Sequence, residues 1–189
     1  MTALAPTLST RYFPQVNSLL RDALLVLAGS WLVGLFAQLE IPLQPVPITG
    51  QTFAVLLVGA LLGSRRGMAA MLAYLIQGGL GLPFFAGGAS GLSALSGATA
   101  GYLVGFVLAA YAIGLLAERG LERDFKTSII PFLIGTLVIY ICGLTWLAIV
   151  LHSFAQAIQF GLMPFLFGDA LKLLAAAVTL PAVWRLLKP

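Results

Sequence analysis

The sequence predicts an all-α integral membrane protein of six transmembrane helices, with short second and third helices and structured outer loops. Composition is the first ground. Of 189 residues, 60% are hydrophobic and 8% charged, where soluble domains average roughly 45–50% and 25%. The second ground is the spacing of charge. Residues 23–39, 41–64, 67–117 and 127–168 contain no Asp, Glu, Lys or Arg, and crossing roughly 30 Å of hydrocarbon takes about 20 helical residues. The third is the placement of the basic residues, which becomes legible once the spans are laid out.

Residues 1–22 carry Arg11, Arg21 and Asp22 but no short apolar core followed by a small-residue cleavage site, so a cytoplasmic tail is expected rather than a cleaved signal. Residues 23–189 are expected to form one six-helix domain. The first span covers residues 23–39 and stops at Glu40, after which Pro42, Pro45 and Pro47 hold the chain extended. Thr49 is the expected N-cap of the second span, residues 50–63. Ser64, Arg65, Arg66 and Gly67 are expected to turn tightly into the third, residues 68–77, which Gly78, Gly79, Gly81 and Pro83 end. The connection from there to about Gly97 is uncharged and carries Phe84 and Phe85. Irregular backbone at membrane depth survives only where protein or a cavity covers its polar groups, so this segment is expected to fold back over the mouth of the bundle.

The fourth span, residues 99–117, carries Gly97, Gly101, Gly105 and Ala109 at four-residue spacing, a stripe that lets another helix approach closely. Glu118, Arg119, Glu122, Arg123, Asp124 and Lys126 read as a solvated turn before the fifth span, residues 127–151. His152, Ser153, Gln156 and Gln159 form a polar link to the sixth, which is expected to begin at Pro164, a favoured first-turn residue, and to end near Trp184.

With the N-terminus inside, the cytoplasmic segments hold Arg11, Arg21, Arg65, Arg66, Arg119, Arg123, Lys126, Arg185 and Lys188, and the three outer connections hold no Lys or Arg. That partition is the one expected of a multi-pass protein of the plasma or inner membrane with both termini cytoplasmic. The net charge of +4 and pI near 9.6 do not mark a nucleic-acid binder, which needs its basic residues clustered on one water-facing surface. Cys142 stands alone, so no intrachain disulfide and no multi-cysteine metal site can form.

One basic residue, Lys172, falls inside a span, three residues after Asp169. Each intramembrane charge costs roughly 3 kcal/mol on insertion scales. Counted from Pro164 at about 1.5 Å per residue, Asp169 lies about 7 Å and Lys172 about 12 Å below the start of the helix, in the outer half of the membrane. The two share a helix face, and the helix dipole favours a carboxylate at Asp169. The pair is either a self-satisfied lock between helices or the polar floor of a pocket opening outward. Phe165 and Phe167 beside it suit an apolar ligand body. The uncharged polar residues Gln44, Thr49, Gln51, Gln77, Ser90, Ser93, Ser96 and Thr99 fall on the same side, the pattern of a small-ligand site loaded from outside.

Catalytic alternatives are poorly supplied. Gly88, Ala89, Ser90 and Gly91 spell the G-x-S-G found around the nucleophile of rhomboid intramembrane proteases, and His152 is predicted on the same side. The chain has no second histidine, and its sole asparagine, Asn17, is in the tail, so the remaining groups of such a site are missing. No H-E-x-x-H zinc motif and no phosphate-binding G-x-x-x-x-G-K-[ST] loop occurs. The expectation is therefore a non-enzymatic binder without metal or cofactor, and any ATP-driven step belongs to another polypeptide.

Several blocks, taken in order, resemble the BioY family, the biotin-specific substrate-binding (S) components of energy-coupling-factor (ECF) transporters. They are Val46-Pro47-Ile48-Thr49 with Gln51-Thr52-Phe53; Gly81-Leu82-Pro83 with Phe85-Ala86-Gly87-Gly88; Gly97, Thr99, Gly101-Tyr102 and Gly105-Phe106; and Asp169 with Lys172. The resemblance implies high-affinity capture of biotin from the outer side and its uptake with a transmembrane coupling (T) subunit and ATP-binding subunits. It leaves self-association open, and some family members are thought to act without the dedicated module. It implies a ligand site drawn from Asp169, Lys172, Gln51, Thr49, Gln77, Phe84, Phe85, Gly87, Gly88, Tyr102 and Phe165, with residues 40–49 closing over it. Asp169 is expected to accept from a ureido N–H, and Lys172 to donate to the ureido oxygen or pair with the ligand carboxylate. Ser30 and Gly34 on the first helix are candidates for docking a coupling subunit. The family's Gly-Pro-Thr-Gly-Gly-Tyr reads Gly97-Ala98-Thr99-Ala100-Gly101-Tyr102 here, and no outer arginine is available for the ligand carboxylate. An S component for another small vitamin, or a rhomboid-like protease, are the alternatives.

Overall fold

The structure is a computed structural model that describes residues 3–6, 12 and 14–187; Arg11 and Lys188 lie outside the described residues. Helix α1 (Ser18–Ala37) is capped by Asn17, whose side chain accepts from the Leu19 N–H at 2.9 Å. A two-stranded antiparallel hairpin, β1 (Glu40–Ile41) with β2 (Ile48–Thr49), pairs Glu40 with Thr49 and Ile41 with Ile48. It encloses the proline-rich loop, in which the Gln44–Pro45 bond is cis. Helices α2 (Gln51–Leu62) and α3 (Ser64–Gly79) follow, then a 3-10 turn (Ala86–Gly88) and the single turn α4 (Leu92–Leu95). The chain continues through α5 (Ala100–Ala117), α6 (Phe125–Leu151), α7 (Phe154–Gly161) and α8 (Leu166–Leu187).

Among the described residues, four helices are long and apolar enough to cross a membrane: Ser18–Ala37, Ala100–Ala117, Phe125–Leu151 and Leu166–Arg185. Helix α2 is apolar but has only 12 residues, about 18 Å at the standard rise. It packs against α1, α3, α5, α6 and α8, and the hairpin covers its N-terminus. The shortness of α2 leaves room at that end for a cavity.

Helix α5 is the most buried of the long helices and packs most extensively on α6. The small-residue stripe explains why. A Cβ at Gly101 would collide with the Trp146 side chain and the Cys142 carbonyl, and one at Gly105 would sit 3.0 Å from the Ile139 Cα. The indole N–H of Trp146 donates to the Gly97 carbonyl at 2.9 Å, at the head of the same stripe. The outward faces of α1, α6 and α8 expose leucine and isoleucine, including Leu24, Leu35, Leu137, Ile141 and Leu174. Such faces suit hydrocarbon, not water.

Several sequence expectations are corrected. Thr49 is not the N-cap of α2: that position is Gly50, and Thr49 ends β2, although its hydroxyl oxygen still accepts from the Gln51 N–H at 3.3 Å. Ser64 to Gly67 are already helical, and the turn between α2 and α3 is made by Gly63 alone at φ +83°, a conformation glycine adopts without strain. The cap at Ser64 comes from Glu118, whose carboxylate accepts from the Ser64 N–H at 2.8 Å and its hydroxyl at 3.0 Å. The polar link after α6 contains a helix, α7, begun by Ser153, and the last helix starts at Leu166, not Pro164. Glu122 is wholly buried rather than part of a solvated turn, because its carboxylate is held by Trp184 of α8 and Arg123. The described part of the expected tail is not free either: Ala3 and Leu4 are buried, with Ala3 beside Gly63.

Candidate functional site

Asp169 stands in the first turn of α8 and Lys172 one turn further in, so both project toward the N-terminus of α2. The Lys172 ammonium donates to Asp169 Oδ1 at 2.8 Å, to Thr52 Oγ1 at 3.0 Å and to the Thr49 carbonyl at 2.6 Å. All three of its protons are engaged. Thr52 uses its own hydroxyl proton on Asp169 Oδ1 at 3.1 Å, and the Tyr140 hydroxyl donates to Oδ2 at 2.6 Å. Asp169 is 6% exposed. A charge buried this deeply is tolerated because its counter-ion and two hydroxyls replace water.

This cluster forms one wall of a cavity of about 60 Å³ enclosed by the hairpin, α2, α5, α6 and α8. Opposite the charges the lining is apolar: Val46 and Pro47 from the hairpin, Phe85 from the second outer connection, Leu103 and Phe106 from α5, Ile139 from α6 and Phe165 before α8. Two polar tethers hold the covering segments. Gln38, the C-cap of α1, donates to the carbonyls of Pro83 and Phe85 at 3.2 and 3.3 Å. Gln51 accepts from the Thr49 hydroxyl at 3.0 Å and donates to the Tyr74 hydroxyl, which in turn donates to the Phe84 carbonyl at 3.3 Å.

Of the residues expected from sequence, Asp169, Lys172, Gln51, Thr49, Phe85, Tyr102 and Phe165 line this cavity together. Gln77, Phe84, Gly87 and Gly88 do not. The Gln77 amide turns away to Ser30 Oγ at 3.0 Å. Phe84 forms a second layer, its ring against Gly34 and edge-on to Trp31. Gly87 and Gly88 build the 3-10 turn with positive φ, Gly87 beside the Glu40 carboxylate. Ser93 and Ser96 are exposed, and Ser96 bonds its own helical turn. Among the described residues, no hydrogen bond joins Ser90 to the exposed His152.

Thr52 and Tyr140 are absent from the sequence-based set. Thr52 was reachable, since it lies within the quoted Gln51-Thr52-Phe53 block. Tyr140 offered one signal, a phenol in the middle of an apolar span, where a hydroxyl must find a partner within the protein.

Comparison with known proteins gives the family and the fold. The BioY family model matches residues 7–189. The biotin transporter BioY of Thermotoga maritima is 38% identical over 154 residues, covering 82% of this chain and 86% of its own length. That of Rhizobium etli is 36% identical, covering 77% and 82%, and the probable biotin transporter BioY of Pyrococcus horikoshii is 39% identical, covering 75% and 83%. The crystal structure of the S-component for biotin from an ECF-type ABC transporter has a similar fold, with a TM-score of 0.74 at 24% identity over 89% of this chain and 93% of that one.

Proposed function

This chain belongs to the BioY family, and we propose that it captures biotin from the outer side of the membrane as the substrate-binding subunit of an ATP-driven ECF-type transporter. The observation that carries the reading is the ion pair of buried Asp169 and half-buried Lys172 on the wall of a small cavity whose opposite wall is largely apolar. Biotin has the matching parts. Its ureido ring offers two N–H donors and a carbonyl, and its thioether ring and aliphatic tail are apolar. Asp169 has an acceptor site left for a ureido N–H. Lys172 has no free proton, so it must exchange one of its present acceptors for the ureido oxygen or the carboxylate. Phe85, Tyr102 and Phe165 pack on the ring system.

The cavity is smaller than the several hundred Å³ typical of ligand pockets, so loading requires the hairpin or the Phe85 segment to open. Gln51–Leu62 and Ser64–Gly79 are best read as two short spans beside the four long ones, giving six. The basic residues then assign both termini to the cytoplasm. The sequence carries no phosphate-binding G-x-x-x-x-G-K-[ST] loop, and on this reading energy comes from coupling and ATP-binding partners.

Calorimetric titration of the detergent-purified protein with biotin tests this. Tight one-to-one binding, lost in Asp169→Ala and in Lys172→Ala, is expected. Absence of heat with the wild type, or unchanged affinity in both variants, overturns it.

A further inference from the structure

On the far side of Asp169 from the cavity runs a groove of about 610 Å³ between α6, α7 and α8. Leu133, Leu137, Ile141, Leu162, Leu166 and Leu173 line it, and those on α6 are open to the hydrocarbon. Tyr140 and Asp169 line both spaces. Beside a membrane-facing groove, a carboxylate oxygen with no donor would be costly and free to reorient. The 2.6 Å bond from the Tyr140 hydroxyl prevents this. It also alters the arithmetic of acceptors. A carboxylate has about four lone-pair sites, of which Lys172 and Thr52 take two on Oδ1 and Tyr140 takes one on Oδ2.

We propose that Tyr140 is the positioning residue of the ligand site. Its hydroxyl fixes Asp169 so that the one remaining acceptor on Oδ2 is presented to a single ligand N–H, while its ring closes the cavity against the bilayer. The proposal rests on the reading of Asp169 as the acceptor for the ureido group. Tyr140 works through Asp169, so its effect must disappear when Asp169 no longer carries a carboxylate.

The test is biotin titration of the full chain as wild type, Tyr140→Phe, Asp169→Asn and the double variant, with melting temperatures for each. Tyr140→Phe is expected to weaken biotin binding at least about tenfold, the loss of one hydrogen bond to a charged group, and to lower the melting temperature by a few degrees, because Asp169 Oδ2 loses its donor. The double variant is expected to bind no worse than Asp169→Asn. Wild-type affinity in Tyr140→Phe, or losses that multiply in the double variant, overturns the inference while leaving the proposed function standing. A wild type that does not bind biotin removes both. A second measurement does not depend on the Phe variant folding, or on Asp169→Asn retaining measurable affinity. With 3-fluorotyrosine at position 140, the ¹⁹F resonance is expected to differ between the wild type and Asp169→Asn, and to move on adding biotin to the wild type. A resonance indifferent to both changes overturns the positioning role.

Discussion

The indole N–H of Trp184 donates to Glu122 Oε1 at 3.0 Å, joining the connector before α6 to the end of α8. The Arg123 guanidinium lies 4.4 Å over the same indole ring and 3.7 Å from the same carboxylate oxygen, while Oε2 has no hydrogen-bond partner among the described residues. Burial pushes the Glu122 carboxyl above its usual range, against smaller opposing effects from hydrogen bonds and Arg123. The folded state therefore holds this proton more tightly than the unfolded chain. The resulting stabilisation is present below the unfolded value of about 4.5 and is lost as pH rises through the folded value. Acidifying from pH 7 toward 5 is expected to raise the melting temperature of the wild type, and Glu122→Gln to flatten that dependence. Thermal unfolding across this pH range checks both.

The α5–α6 contact has almost no slack at Gly101. Gly101→Val is expected to destabilise by about 2 kcal/mol or more through overpacking against Trp146, several degrees in melting temperature for a chain of this size. Gly97→Ala is the control, since the nearest atoms to its added methyl are 3.6 Å away. It should melt within a degree or two of the wild type.

Lys172 holds the hairpin through the Thr49 carbonyl, next to the residue that makes the hairpin's anchoring bond, Gly50 N–H to the Leu39 carbonyl at 2.9 Å. In Lys172→Met the amide hydrogens of Ile48 and Gly50 are expected to exchange at least about tenfold faster, the equivalent of one lost charge-assisted bond. Hydrogen-exchange mass spectrometry reads this without any ligand.

Residues outside the cavity should behave differently from those lining it. Gln77→Leu is expected to leave biotin affinity within about threefold, because its amide faces Ser30. Phe85→Ala removes a buried ring from the lining and should weaken binding at least about tenfold, given what truncating a buried aromatic costs. Titration of both variants separates the two groups.

The long apolar spans were legible because a bilayer imposes length and charge rules that act on composition. Asp169 and Lys172 stood out for the same reason, as exceptions to those rules. The short helices were placed correctly in order but not at their ends: Gly63 makes the α2–α3 turn alone, and the cap at Ser64 comes from Glu118, 54 residues away, a partner no local pattern can indicate. Tyr140 was missed because a phenol in an apolar helix resembles packing until its partner is known. Gln77, Phe84, Gly87 and Gly88 lie near lining residues in sequence, but the turn at Ala86–Gly88 brings Phe85 and Ala86 to the cavity and leaves Phe84, Gly87 and Gly88 outside it.

A cavity of about 60 Å³ has a kinetic meaning. A ligand larger than the space awaiting it cannot dock in one bimolecular collision, so entry must wait for a spontaneous opening or force one after a loose encounter. In the first case the observed association rate in stopped-flow mixing climbs with biotin only at low concentration and then levels off at the opening rate of the covering segment. Once the cavity has closed again, departure waits on the same opening. A single slow step would then set both how quickly the vitamin is caught at scarcity and how long it stays.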